Sequence, residues 1–124
     1  RKGRNMNLSE PILVTELGVT SVVVGETQST ICLEGTADKY GQVFVTYVLD
    51  SAGDRTGGTY SGSARAFPNG EDMVAAVFRG IWRREGAKVK IFSLDNVNNG
   101  DQNLAVIELD VLGKQALVTA YSLN

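Results

Sequence analysis

The sequence has no histidine, a single cysteine and only two prolines. Each shortage removes a class of chemistry. Without histidine neither a Ser-His-Asp relay nor a histidine-based metal site can be built, so no metal or catalytic triad is expected. With Cys32 alone no internal disulfide can form, which excludes the stapled framework of a small secreted scaffold. Cys32 therefore reads as a small apolar core or face residue, since a reactive thiol would want a histidine partner. No apolar run approaches the roughly 18 residues of a membrane span. The basic start Arg1-Lys2-Gly3-Arg4-Asn5 leads into no hydrophobic region and does not read as a signal peptide, so a cytoplasmic location is expected. A net charge of −2 exerts no global pull on nucleic acid.

What remains is the composition of one ordinary domain. The chain has 124 residues, of which 43% are apolar, too many for a disordered segment. Folding should hide about two-thirds of the extended chain's surface, enough for a core without staples. A flexible N-terminal tail over residues 1–9 and a single β domain over 10–124 are expected.

The apolar residues come in short runs rich in Val, Ile, Thr, Tyr and Phe, broken by Gly, Asn and Asp. That is strand punctuation. Nine strands are predicted, at 11–17, 19–25, 29–36, 42–50, 58–67, 73–84, 87–94, 103–111 and 114–123; the first two merge into one if Gly18 is a bend, leaving eight. The breaks at 51–58, Pro68-Asn69-Gly70, Glu85-Gly86 and Gly113-Lys114 are too short for parallel crossovers, so neighbours should be antiparallel. Such a row of strands escapes exposed edges by closing into a barrel or folding into a sandwich. Gly41, Gly58, Gly62 and Gly80, in or beside strands, permit tight coiling and favour a single antiparallel β-barrel of eight to nine strands, with a β-sandwich as the alternative.

Alternation sorts the residues into two faces. Val43, Val45, Tyr47 and Leu49 share one side, as do Val74, Ala76, Phe78, Gly80 and Trp82. Val89, Ile91 and Ser93 do likewise, and so do Ala105, Ile107, Leu109 and Val111. The opposite faces also carry apolar groups: Phe44, Met73, Val77, Ile81, Phe92 and Val118 are assigned outward. A monomer rarely leaves so much apolar surface bare, so these six are the candidate interface of a homo-oligomer.

The segments Gly58-Thr59-Tyr60-Ser61-Gly62 and Phe78-Arg79-Gly80-Ile81-Trp82-Arg83-Arg84-Glu85-Gly86-Ala87-Lys88-Val89-Lys90-Ile91 resemble hairpins of small barrels of the allene oxide cyclase-like and lipocalin-like kind. The resemblance covers roughly residues 29–123 as a strand pattern. The lipocalin Gly-x-Trp beside the first strand is missing, so the resemblance implies an architecture and assigns no catalytic residue. Barrels of this kind can cyclise or isomerise a substrate largely by shaping it.

Motifs for other chemistry fail on inspection. The glycines from Gly53 to Gly62 lack the Lys-Ser/Thr and helix of a phosphate loop. The stretch from Asp95 to Asn103 has the composition of a calcium loop. In that register Val97 and Val106 fall where oxygen ligands belong, so it reads as a polar turn. Arg79, Arg83, Lys88 and Lys90 form a cationic face with only Phe92 to stack on, so a nucleic-acid partner is not expected. Tyr47, Tyr60, Trp82, Ser93, Thr119 and Tyr121 are assigned inward. They are the candidate cavity residues, a few polar tips in an apolar interior suited to a small hydrophobic ligand. No cofactor is implied. Ligand binding, self-association as a structural module, and a cyclase or isomerase using the same cavity are the expected functions, in that order.

Overall fold

The computed structural model describes residues 8–51 and 53–124, so most of the tail expected over 1–9 lies outside the described residues. Eight strands follow one another: β1 (Leu13–Val24), β2 (Gln28–Thr36), β3 (Gln42–Asp50), β4 (Gly57–Phe67), β5 (Val74–Glu85), β6 (Lys88–Val97), β7 (Gln102–Asp110) and β8 (Gln115–Ser122). Each pairs antiparallel with the next, and β1 returns to pair with β8 from Leu13↔Ala120 to Gly18↔Gln115. The sheet is a closed barrel, which removes every edge and replaces the sandwich alternative. Among the described residues there is no α-helix, only a 3-10 turn at Asp38–Tyr40.

Local chemistry explains the connections. Gly86 adopts φ 60° in the two-residue link between β5 and β6, a left-handed geometry that glycine enters without steric cost. Between β4 and β5, Asn69 accepts bonds from the amides of Glu71 and Asp72, fixing the turn that ends in Gly70. The segments 11–17 and 19–25 are one strand. Its register slips between Val19 and Ser21, beside the bend expected at Gly18, as a β-bulge allows.

The inner face follows the expected alternation on β3, β5, β6 and β7. Val43, Val45, Tyr47, Phe78, Trp82, Val89, Ile91, Ala105, Ile107 and Leu109 are all buried. On β8 the alternation runs in the opposite phase. Ala116, Val118 and Ala120 point inward and are buried, so Val118 is not an outer-face residue, and Thr119 and Tyr121 lie outside. Pairing supplies the reason: Ile107, fixed inward on β7, stands opposite Val118, and Ala105 opposite Ala120. The outward β8 residues are as bulky as the inward ones, so side-chain bulk gave no sign of the true phase.

The two ends of the barrel differ. At the end carrying the β1–β2, β3–β4, β5–β6 and β7–β8 turns, Ile31, Leu49, Trp82, Val89 and Leu109 are buried together in the core. The Trp82 indole donates to the Asp50 carbonyl at 2.8 Å, so its one polar atom is satisfied. The other end, beneath the β2–β3, β4–β5 and β6–β7 turns, is less completely filled.

Candidate functional site

A cavity of about 90 Å³ occupies that second end. Most of its wall is Leu, Val, Ala, Ile and Phe; the polar lining is Thr15, Tyr40, Tyr47, Tyr60, Ser93, Asp95 and Asn103, with no Lys or Arg among the described residues. For scale, a dry apolar cavity of about 150 Å³ takes a benzene molecule. The space suits a ligand of a few heavy atoms.

Two inward-facing glycines bring the polar groups together. Tyr60, Gly80 and Ser93 are aligned across β4, β5 and β6. Because Gly80 has no side chain, Tyr60 and Ser93 reach over it until their oxygens are 3.2 Å apart. In the same way Tyr47, Gly62 and Phe78 are aligned across β3, β4 and β5. The Tyr47 ring stands 6.2 Å from Phe78 and 5.4 Å from Tyr60, the latter edge-to-face. Three aromatic rings therefore gather on one wall.

Asp95 completes the cluster. Ser93 donates to Asp95 Oδ1 at 2.6 Å; since a serine carries one proton, the Tyr60 hydroxyl supplies the other contact. Asp95 Oδ2 accepts no hydrogen bond among the described residues, and the Tyr47 hydroxyl, on a residue only 3% exposed, makes none. Burial pushes the Asp95 carboxyl up to about 7, against the opposing effect of the Ser93 bond, because the charged form loses hydration it cannot replace. Burial also raises Tyr47 and Tyr60, with added repulsion from Asp95 at both. The tyrosines stay neutral donors, and Asp95 is the one group here that can change charge near neutrality.

A strap crosses the mouth. Tyr40, from the β2–β3 turn, donates to Asp101 Oδ2 at 2.6 Å in the β6–β7 turn, four strands away around the barrel. Asn103 donates to the Tyr40 oxygen at 3.3 Å, and Lys39 pairs with Asp101 at 3.0 Å. Burial, then the Asp101 bond, pushes Tyr40 up to about 12, while the Tyr40 and Lys39 contacts hold Asp101 below the usual carboxylate range.

Of the six cavity candidates, Tyr47, Tyr60 and Ser93 line the cavity. Trp82 is inside the barrel but packs at the other end, and Thr119 and Tyr121 face outward, so these three do not belong to it. Asp95 lies beyond the strand expected over 87–94, in the stretch whose composition reads as a polar turn; β6 instead runs on to Val97. The signal was there: the inward set Val89, Ile91, Ser93 continues at Asp95 and Val97.

Of the interface candidates, Phe44, Met73, Val77 and Ile81 are exposed, and Phe92 is half-buried on the outer face. Outward residues on paired strands make a continuous apolar band: Ile81, Phe92, Val106, Thr119 and Val14 in one row, with Leu94, Leu104 and Tyr121 beside it. The cationic face is partly compensated. Lys88 pairs with Asp110 at 3.1 Å, Lys90 stands 3.9 Å from Glu108, and Arg83 lies over the Phe92 ring. Cys32 is half-buried on the outer face, 3.9 Å from the Thr46 hydroxyl.

No family model matches the chain, and no curated protein or solved structure matches it either.

Proposed function

We propose that this barrel binds a small, mainly apolar molecule in its interior cavity, oriented by Asp95, Ser93, Tyr60 and Tyr47. One observation carries the reading. Within an otherwise apolar wall, Asp95 Oδ2 and the Tyr47 hydroxyl have no hydrogen-bond partner among the described residues. No fully buried side-chain N or O among the described residues lacks a partner, so these two atoms are accessible rather than sealed off and each is free to meet a ligand. A ligand that filled the space would take the place of the water they otherwise meet. The resemblance to allene oxide cyclase-like and lipocalin-like barrels is compatible with this reading at the level of architecture. A cyclase or isomerase would work in the same cavity.

Heat denaturation tests the proposal. Isobutanol or a neutral molecule of similar size should raise the melting temperature saturably, since binding to the native state alone adds about 2.7 kcal/mol at a hundred times Kd. Ala76→Leu, which extends a cavity-lining side chain into the space, should abolish the effect. A wild type unresponsive to every small molecule of this size tried, neutral or charged, would dispose of the reading.

A second reading is self-association through the outer band on β5 to β8 and β1. It is favoured by the exposure of Ile81, Leu94 and Val14 there, at 56%, 57% and 54%. Contiguous apolar surface of this kind marks interaction sites on stable proteins. The wild type should scatter light as a homo-oligomer and Ile81→Lys as a monomer. A wild type already monomeric at high concentration would refute it.

A further inference from the structure

We propose that the cavity recognises a cation, specifically a short-chain alkylammonium whose charged head pairs with Asp95 against the rings of Tyr47, Tyr60 and Phe78. The inference rests on the cavity-binding reading above and adds the charge of the ligand to it.

The lining determines the sign. Among the described residues Asp95 is the only carboxylate in the cavity wall and no Lys or Arg faces it, so every charge they can give the wall is negative. One carboxylate oxygen is held by Ser93 at 2.6 Å, and the other accepts no hydrogen bond among the described residues. An isolated carboxylate in apolar surroundings is costly, and a cation beside it removes most of that cost, because the pair is neutral and its attraction is weakly screened. An anionic ligand would face the same carboxylate with nothing to offset the repulsion. A neutral ligand would satisfy the open oxygen only by donating a single bond.

The aromatic wall points the same way. Tyr47, Tyr60 and Phe78, on β3, β4 and β5, form a connected cluster with ring centroids 5.4 and 6.2 Å apart, and Phe78 stands directly opposite Asp95 on the paired strand. Ring faces attract ammonium ions, most strongly where water is excluded. A carboxylate backed by several rings is the chemistry by which proteins hold alkylammonium groups. The volume limits the tail: about 90 Å³ is roughly three water molecules' share of liquid. Propyl and isobutyl chains fit that scale, and long or bulky chains do not. Tyr40, the residue of the strap that lines the cavity, gives the apolar tail a further wall to lie against.

The test compares three molecules of nearly equal shape at neutral pH: isobutylammonium, isobutanol and isobutyrate. Binding is read by calorimetry on the full chain. Isobutylammonium should bind at least tenfold more tightly than isobutanol, and isobutyrate not at all. Asp95→Asn should lower the ammonium affinity at least tenfold and leave isobutanol binding in place, which also certifies that the variant is folded. Bound isobutylammonium methyl signals should move upfield in NMR from the surrounding rings. Equal binding of the alcohol and the ammonium, or full ammonium affinity in Asp95→Asn, would overturn the charge assignment and leave the cavity reading standing. If none of the three binds, the cavity reading falls and takes this inference with it.

Discussion

Asp95→Asn is expected to stabilise the protein above pH 7 by on the order of 3 kcal/mol and to leave it nearly unchanged below pH 4. The sign follows from linkage. The Asp95 carboxyl titrates at about 7 in the folded barrel, against 3.8 as its ordinary value. Between those pH values the native state holds a proton that the unfolded chain has released, so stability falls as pH rises. The contribution is complete below pH 4 and lost by pH 7. A shift of this size corresponds to about 4 kcal/mol, reduced here because the cavity mouth admits some water. Asparagine keeps the oxygen that accepts from Ser93 and carries no charge to desolvate. The groups facing Asp95 are the hydroxyls of Tyr47, Tyr60 and Ser93 and the amide of Asn103, and neither tyrosine ionises in this range. Asp101 and Asp110, both held low by their partners, act in the opposite sense in acid. Subtracting the two proteins' curves cancels that contribution. Urea denaturation of both from pH 4 to 9 makes the comparison; curves that stay parallel would mean that Asp95 ionises as it does in water.

Gly80→Ala should destabilise the fold by 3 kcal/mol or more, on the order of the largest single-site losses. Propensity alone predicts the reverse, since alanine in a strand interior is better than glycine by roughly 0.5–1 kcal/mol. Contact geometry decides it. A methyl at Gly80 would overlap the Phe92 carbonyl oxygen on the paired strand and come within 3.2 Å of the Ser93 Cα. Those are backbone atoms, which yield only if β5 and β6 move apart. The same methyl would stand in the gap through which Tyr60 meets Ser93, so the cavity cluster should be disturbed with the strand. Gly18→Ala is the control. It sits in β1 with its nearest neighbour at 3.9 Å, an ordinary contact, and should be neutral or mildly stabilising. Denaturant midpoints at a common slope give the comparison. Equal behaviour of the two variants would refute the close-approach argument.

What could be read from the residues was whatever repeats every two positions. Val74-Ala76-Phe78-Trp82 and Ala105-Ile107-Leu109 announce their inward face because their outward neighbours include Arg79, Arg83, Glu108 and Asp110. Antiparallel order was legible too, because links such as Gly86-Ala87 admit nothing else. Where both faces are apolar, as on β8, the rhythm has no phase, and the inward set follows only from pairing with Ile107 and Ala105.

The sequence by itself thus determined an all-β chain of antiparallel strands with apolar groups on both faces, because strand propensity, alternation and turn chemistry act over a few residues. Tertiary structure decided between the expected barrel and the sandwich, and it alone decided the cavity and its polar cluster. Closure joins β1 to β8, the first and last strands. The Tyr40–Asp101 strap spans 61 positions, and Tyr60 meets Ser93 across 33. Contacts at such separations leave no periodic trace, and the one between Tyr60 and Ser93 also needs Gly80 to lie bare between them.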